Sequence, residues 1–234
     1  MSKKETSLIG QKEKSMPKFF VNENQVNDKE IEILGQDVKH IKNVLRKSIG
    51  DEIRVCNVTS GKDYLCEIDN LEENKINCLI TKELDTSVES NIKVTIMQGL
   101  PKSDKMELII QKAVELGVYE IIPIEMKRCV VKLNGKDANK KIERWQKISE
   151  VAAKQCGRNI IPQIKSVINV KNICNLLEEY DIVLIAYENE KENTIKQELK
   201  RLKEIYKSKE MKIAIIIGPE GGIAEEEIEL LTRK

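Results

Sequence analysis

The chain has 234 residues, in which 40 lysines and arginines nearly balance 39 aspartates and glutamates, and only 3% of the residues are aromatic. This balance excludes a chain-wide basic surface, so any nucleic acid must contact a local patch, and few aromatic side chains are available for stacking bases. One histidine and six cysteines without a CxxC pair argue against a zinc site. No signal peptide and no apolar run of about 18 residues is present, so we predict a cytoplasmic protein without a membrane partner.

The first part of the chain predicts a small β domain behind a polar extension. Residues 1–15 are lysine-rich and aperiodic, and we expect them to be disordered. A helix is predicted over Asp37–Lys47, with Gly50-Asp51 as its stop, and the polar run 85–91 is the expected linker. Alternating apolar residues predict strands at Phe19–Val21, Glu52–Cys56, Tyr64–Ile68 and Lys75–Ile80. Residues 16–89 therefore form a β-barrel-like module with one helix.

From Ile92 onward, strands alternate with helices, which predicts an α/β domain over residues 90–234 with a parallel sheet and right-handed crossovers. The predicted strands are Val94–Met97, Glu120–Ile124, Asp181–Ala186 and Ile213–Ile217. The first predicted helix begins at a capping box formed by Asp104 and Glu107 and ends at Gly117. Three further helices are predicted, around Ile142–Cys156, over Val170–Glu179 and over Thr194–Lys207. Ligands of such sheets bind beyond the carboxyl ends of the strands. Three loops meet this condition: Gln98–Lys105, Ala186–Glu188 and Gly218–Gly222.

The last of these loops follows the most apolar strand and has the sequence Gly-Pro-Glu-Gly-Gly. Its glycines allow a ligand to approach the backbone closely. A phosphate loop would need cationic or helix N-terminal partners, whereas Glu220 and the acidic run Glu225–Glu227 would repel phosphate. We therefore expect a neutral or cationic ligand. A tight turn without any ligand remains the alternative.

Basic residues accompany the same loops, but each of them also has an ordinary surface interpretation. Lys102 and Lys105 flank a strand-to-helix turn, and Arg128 lies between Lys127 and Lys132 after another strand. Arg158 follows a helix, where it could simply complement the helix dipole. His40 is the single histidine, so a nucleophile with a histidine base finds little support, and Cys129 beside Arg128 is a weak nucleophile candidate.

Several motifs resemble those of one family, in order along residues 16–228. They are Met16–Val21, His40–Arg46 with Gly50-Asp51, Gln98–Gly117, Trp145, Gln155 with Gly157-Arg158 and Pro162, and Ile217–Gly222. Together they resemble the 16S ribosomal RNA (uracil-N3)-methyltransferases of the SPOUT superfamily. The resemblance implies a PUA-like β-barrel followed by an α/β domain with a C-terminal trefoil knot, working as a homodimer. It also implies S-adenosyl-L-methionine as methyl donor, no metal, and N3 of one uridine in the decoding region of 16S rRNA, within the assembled small subunit, as acceptor.

The resemblance also implies roles for individual residues. Arg128 and Lys18 are the first candidates for stabilising the uracil, ahead of Arg46 and Lys102. The cofactor is expected to lie against Ala186, Tyr187, Glu188, Gly218, Pro219, Glu220, Gly221, Gly222 and Ile223. The RNA is expected to contact Lys18, His40, Arg46, Lys102, Lys105, Arg128, Lys132 and Arg158.

The sequence departs from the family pattern at four places. Lys18 replaces an arginine, Ser103 a glycine and Ile223 a phenylalanine, and a lysine cannot form the two-pronged contact of an arginine. The sequence ends at Lys234, before the family's C-terminal segment that threads the knot and forms one wall of the cofactor pocket. A truncated methyltransferase is therefore expected, and a non-catalytic RNA-binding relative is the alternative. A nucleotide-binding Rossmann enzyme is disfavoured because no G-x-G-x-x-G follows the first α/β strand.

Overall fold

The computed structural model describes residues 16–84, 89–191, 193–205 and 210–233. The predicted extension 1–15, part of the predicted linker and the end of the helix predicted over Thr194–Lys207 lie outside the described residues. The chain divides into two compact units. Residues 1–89 and 154–160 form the first, called here the β unit, and residues 90–153 and 161–234 form the second, the α/β unit. The domain boundaries at 15/16 and 89/90 stay predictions.

The β unit contains a five-stranded mixed sheet. Its strands are β1 (Lys18–Val21), β2 (Glu30–Leu34), β3 (Glu52–Asn57), β4 (Asp63–Leu71) and β5 (Lys75–Leu84). Their order is β1-β3-β4-β5-β2, in which β1 runs parallel to β3 and the other pairs are antiparallel. Alternate residues such as Phe19, Ile31, Ile53 and Ile76 pack into one core. The four predicted strands are confirmed. β2 was not predicted, although its Glu-Ile-Glu-Ile alternation carries the signal of a half-buried strand.

The helix predicted over Asp37–Lys47 ends earlier than expected. It begins as α1 (Gln36–Lys39), continues as a π-helix over His40–Val44, and does not reach Lys47. The reason is Arg46, whose φ of +52° places it in the left-handed region and turns the chain out of the helix. The prediction that Gly50-Asp51 is the stop was therefore wrong.

The α/β unit contains a parallel sheet in which the strand of the glycine loop lies between two neighbours, next to the central strand. Its strands are β6 (Ile92–Gly99), β7 (Glu120–Glu125), β8 (Gln163–Ile164), β9 (Ile168–Asn169), β10 (Ile182–Ala186) and β11 (Met211–Ile217). Every pair is parallel, the order is β10-β11-β6-β7, and both β8 and β9 pair with β7. The predicted parallel sheet is confirmed. The two-residue strands β8 and β9 were not predicted, because they are too short to carry a pattern.

The helices of the α/β unit bury apolar faces against this sheet. They are α2 (Lys105–Glu115), α3 (Gly135–Cys156, whose last three residues count with the β unit), α4 (Val170–Leu176), α5 (Ile195–Ile205) and α6 (Glu225–Thr232). Met106, Ile110, Trp145 and Ile173 belong to one core cluster with the central strands. A 3-10 turn, Leu177–Glu179, extends α4 to the predicted end. Among the described residues, none of the helices combines the length and apolar character that crossing a membrane requires.

The start of α2 differs from the predicted capping box. Asp104 is the N-cap residue, but its φ of −92° and ψ of 12° are not the extended conformation of a capping side chain, and it makes no capping hydrogen bond. Ser103, immediately before it, has a φ of +55°. The left-handed turn at Ser103 redirects the chain, so the capping-box prediction was wrong. The resembling family has glycine at position 103, and the positive φ explains why, because glycine adopts the left-handed conformation without strain.

We expect Ser103→Gly to stabilise the protein by up to about 1 kcal/mol. A non-glycine residue in the left-handed region costs about 1–2 kcal/mol, part of which the greater freedom of glycine in the unfolded chain offsets. Urea unfolding of both variants measures the difference. Ser166→Gly is the matched control, because Ser166 is exposed and lacks a positive φ, and it should destabilise slightly. A loss of stability in Ser103→Gly equal to that of the control would contradict the expectation.

Candidate active site

The strand register brings the three predicted loops together at the carboxyl edge of the sheet. Ala186, the last residue of β10, pairs with Ile217 of β11, and Ile217 pairs with Gln98 of β6. In the order of the sheet, β7 lies on one side of β6, whereas β11 and β10 lie on the other side, so the direction of strand addition reverses at β6. Parallel sheets bind ligands in the crevice at such a reversal. The prediction that these three loops follow the carboxyl ends of parallel strands is confirmed.

An open cleft of about 540 Å³ lies at this edge. It is lined by Ala186–Glu188 and by Ile217–Gly222. All predicted cofactor residues line it except Ile223, which is 1% exposed and packs beneath Gly218. Ile217, which was not predicted, also lines the cleft, and its position as the last residue of the strand was the available signal. The assignment of these residues to a cofactor stays a prediction.

The glycine loop lies directly against β6, where Gly99 makes the approach possible, and Gly218 allows the loop to pack on Ile223. A Cβ on Gly99 would lie 2.7 Å from both the N and the Cδ of Pro219. A Cβ on Gly218 would lie 2.8 Å from Cγ1 of Ile223. Gln98, which is buried, donates from Nε2 to the Gly99 carbonyl at 2.9 Å and to the Gly218 carbonyl at 3.4 Å. The backbone of the loop is therefore fixed to the end of the central strand.

The side chain of Glu220 joins this loop to the turn before α2. Its carboxylate accepts hydrogen bonds from the Lys102 amide at 3.2 Å and from Nζ of Lys105 at 2.8 Å. The hydrogen bond from Lys105 lowers the pKa of Glu220 to about 2. The expectation that the loop repels phosphate rested on Glu220 together with Glu225–Glu227. In the structure, the ammonium of Lys105 pairs with Glu220 and reduces the negative charge of the loop.

We expect the Glu220 carboxyl to titrate near pH 2 and Lys105→Met to move its midpoint upward. Because the folded-state pKa lies below the ordinary value of 4.5, ionised Glu220 stabilises the loop above about pH 4.5. That contribution is lost as the pH falls towards 2. Carboxyl-carbon NMR shifts measure the midpoint, and Lys112→Met is a control, since Lys112 pairs with Glu115 instead. The same midpoint with and without the Lys105 ammonium would contradict the assigned cause.

Arg128 lies at the rim of the cleft and reaches two of its loops. Its Nη1 donates to the Gly221 carbonyl at 2.9 Å and lies 3.6 Å from Oε1 of Glu188. The side chain is 46% exposed, so a bound molecule can contact it. The buried carboxylate of Glu227 holds the adjoining backbone, because it accepts from the Lys127 amide at 2.8 Å and from the Ala224 amide at 3.2 Å. Arg128 is thus a positioned cation beside the glycine loop.

Gly221 and Gly222 have separate steric requirements. Gly222 has a φ of +73°, and a Cβ there would lie 1.8 Å from Oε1 of Glu188. A Cβ on Gly221 would lie 3.3 Å from Cβ of Arg128, a contact that would force the neighbouring segment to shift. Larger side chains at these positions would therefore disturb Glu188 and Arg128 before they reached a ligand.

Two of the predicted RNA-binding residues are engaged inside the β unit. The side chain of Lys18 is 5% exposed, and Nζ donates to Asp63 at 3.1 Å, to Asn159 Oδ1 at 2.9 Å and to the Gly157 carbonyl at 3.3 Å. These contacts use its three donors, and burial lowers its pKa. Arg158 is 6% exposed and pairs with Glu89 at 2.6 Å. The roles of Lys18 in catalysis and of both residues in RNA binding stay predictions. Their contacts are those of buried structural groups.

The other predicted RNA-binding residues are exposed. His40 and Arg46 lie on the π-helix and the turn that follows it in the β unit. The His40 ring packs edge-to-face on Phe19, with 6.1 Å between ring centroids. Lys102, Lys105 and Lys132 lie on the α/β unit, close in sequence to the residues of the carboxyl edge. Together with Arg128, these side chains can contact phosphates.

The cysteines are consistent with a structural role. Cys56, Cys66, Cys78 and Cys129 are buried, so four of the six pack as small apolar residues do. Burial raises the pKa of Cys56 and of Cys78 to about 12 and also raises the pKa of Cys129. A thiolate nucleophile at Cys129 is therefore not supported. In the described part of the chain, no group of three histidine, cysteine or acidic side chains could hold a metal ion.

Comparison with known families identifies the chain. The profile of the RNA methyltransferase domain matches residues 88–234, and that of the RNA methyltransferase PUA domain matches residues 33–81. The chain belongs to the RNA methyltransferase family. The α/β fold with a PUA-like domain, expected from the motifs, is confirmed with it.

Individual members of the family resemble the chain over most of its length. The ribosomal RNA small subunit methyltransferase E of Bacillus subtilis (strain 168) is 39% identical over 204 residues, which cover 86% of this chain and 78% of that protein. The protein of the same name from Mesomycoplasma hyopneumoniae (strain 232) is 35% identical over 92% of this chain and 86% of its own. The crystal structure of the Neisseria gonorrhoeae methyltransferase E, bound to S-adenosyl methionine, has a TM-score of 0.74 at 27% identity and covers 92% of this chain and 85% of its own.

Proposed function

We propose that this protein transfers a methyl group from S-adenosyl-L-methionine to N3 of one uridine in the decoding region of 16S rRNA, within the assembled small ribosomal subunit. One observation carries the proposal. A cleft lined by glycine backbone lies at the carboxyl edge of the sheet, with Arg128 at its rim, in a member of the RNA methyltransferase family. The Neisseria gonorrhoeae relative binds the same cofactor, and the curated relatives are named for small-subunit rRNA.

The residues of the cleft fit this cofactor. A volume of about 540 Å³ lies within the range of small-molecule sites. Ala186, Ile217 and Pro219 offer apolar walls to a flat ring, and Gly218 and Gly221 offer backbone groups without a side chain in front of them. The Glu220 carboxylate is turned to Lys102 and Lys105, which leaves its main chain on the cleft. When bound, the cofactor supplies a methyl group activated on a sulfonium centre.

Arg128 has the position of the residue that stabilises the acceptor. Transfer to N3 requires loss of the N3 proton, and the resulting negative charge spreads onto the neighbouring uracil oxygens. A guanidinium fixed beforehand beside the cleft lowers the free energy of this anion more than a mobile cation would. The hydrogen bond to Gly221 and the carboxylate of Glu188 fix Arg128 in this way.

Each unit is proposed to contact rRNA through its own exposed cations, which are His40 and Arg46 in the β unit and Lys102, Lys105 and Lys132 in the α/β unit. Phosphate contacts of this kind should make the affinity for RNA fall as salt rises. The cytoplasmic location, the homodimer and the trefoil knot belong to the same proposal, and the family resemblance supports them.

Incubation of the protein with isotopically labelled S-adenosyl-L-methionine and small subunits carrying unmodified rRNA tests the proposal. We expect 3-methyluridine at one position, identified by nuclease digestion and mass spectrometry, with free 16S rRNA a poorer substrate than the subunit. Label on another base would refute the assigned acceptor. RNA binding without any transfer would favour the non-catalytic alternative.

A further inference from the structure

A second, smaller cavity lies in the α/β unit beside the turn that follows β6. Its volume is about 150 Å³. Leu100, Met106, Val131, Leu133 and Trp145 form most of its walls, and Pro101, Ser103, Asp104 and Lys141 complete its lining. The site described above uses none of these residues.

The size of the cavity limits what it can hold. Apolar cavities of about 150 Å³ in other proteins bind benzene, a single six-membered ring. A pyrimidine base has a ring of the same size, whereas the two fused rings of a purine require more room. Trp145, the one tryptophan of the sequence, lies in the wall, and only 3% of its surface is exposed, so a ring in the cavity would contact a small part of the indole.

The cavity is separated from the cofactor cleft by the turn Gly99–Lys102. On the cleft side, Gly99 lies against Pro219 and the Lys102 amide bonds to Glu220. On the other side, Leu100 and Pro101 line the cavity. A base that receives a methyl group must face the cleft, so the base in the cavity must be a different one.

Lysines lie at the cavity and beside it in sequence. Lys141 lines it, Lys102 lies between Pro101 and Ser103, and the exposed Lys132 stands between Val131 and Leu133. Lys105 is engaged on the cleft side, where its Nζ bonds to Glu220. Asp104 is the acidic residue of the lining. An apolar pocket of this size among lysines complements a nucleotide, whose base is flat and whose phosphate is anionic.

We propose that this cavity holds the base of a pyrimidine nucleotide that flanks the methylated nucleotide of the RNA. The proposal rests on the proposed function. It adds an anchoring site that places the acceptor opposite the cleft, and Trp145 and Val131 are its specificity-determining residues. The polar groups of Ser103 and Lys141 can contact the base edge at the mouth of the cavity.

Filling the cavity tests the proposal. Val131→Phe adds a ring inside it, whereas Val130→Phe adds the same ring at the neighbouring position, which is 68% exposed and does not line it. The probe is a fluorescently labelled RNA of the decoding region, and the readout is its binding by anisotropy. We expect Val131→Phe to bind about tenfold more weakly, because the added ring excludes the base from the cavity, and Val130→Phe to bind as the wild type does. Equal binding by the two variants would overturn the proposal.

Abasic RNAs remove the base instead of the cavity. Each nucleotide within three positions of the acceptor is replaced in turn by an abasic one. We expect one pyrimidine position at which the replacement weakens wild-type binding about tenfold but has no further effect on Val131→Phe. Absence of such a position, or its coincidence with the acceptor itself, would overturn the proposal.

A third readout covers the case in which Val131→Phe does not fold, which its melting curve and its affinity for S-adenosyl-L-methionine reveal. Intact RNA should quench the fluorescence of Trp145 in the wild type, and RNA abasic at the identified position should not. Equal fluorescence with both RNAs would overturn the proposal. Since none of these measurements reads methyl transfer, a failure of the proposed function appears separately, as small subunits without 3-methyluridine.

Discussion

Gly99→Ala is expected to weaken the binding of S-adenosyl-L-methionine at least a hundredfold. The added Cβ would lie 2.7 Å from two atoms of Pro219 and 3.0 Å from the Gly218 carbonyl carbon. Two of these three atoms are backbone, so the glycine loop has to move away from β6 as a whole. The cleft depends on the position of this loop, because Gly218 and Pro219 line it. Overpacking of this kind should also lower the free energy of unfolding by about 1–3 kcal/mol.

Calorimetric titration of the cofactor and urea unfolding measure the two effects of Gly99→Ala. Gly135→Ala is the control: no atom lies within 4 Å of its added Cβ, and its φ is not positive. As the first residue of α3, Gly135 should tolerate alanine, which favours a helix by up to about 1 kcal/mol. A Gly99→Ala protein with wild-type affinity would show that contact between the loop and β6 does not shape the cofactor site.

Arg128→Ala is expected to slow methyl transfer by a factor of about 100–1,000, the usual effect of removing one preorganised donor to a developing negative charge. Arg128 is joined to the glycine loop by a hydrogen bond to the Gly221 carbonyl. The loss of this one contact should change the affinity for the cofactor much less than it changes the rate. Arg128→Lys should recover part of the rate, since it restores the charge but not the planar pair of donors.

Single-turnover transfer to small subunits measures this rate, with Lys127→Ala as the matched control. Lys127 is the adjacent cation, is 66% exposed and pairs with Glu226, and its backbone contact with Glu227 survives the substitution. The salt dependence of RNA binding separates two roles of Arg128. A slope lower by about one unit, with an unchanged transfer rate, would place Arg128 on a phosphate and contradict a role at the uracil.

Elements with local sequence signals could be predicted before the structure was known. The run Ile213–Ile217 predicted a strand enclosed within a parallel sheet, because such a strand must be apolar on both faces. β11 is enclosed in this way, between β10 and β6. Alternation of strands and helices then predicted the edge at which the three loops meet. The motifs placed the chain in its family, and the family profile confirmed it.

The partners of the charged side chains were decided by the tertiary structure alone. Lys18 and Arg158 looked like surface cations, but Lys18 meets Asn159, 141 positions away, and Arg158 meets Glu89, 69 positions away. Glu220 looked like an open charge on the loop and instead bonds to Lys102 and Lys105. A sequence shows that a residue is charged, but the pairing of that charge depends on contacts between distant segments, which exist only once the chain has folded.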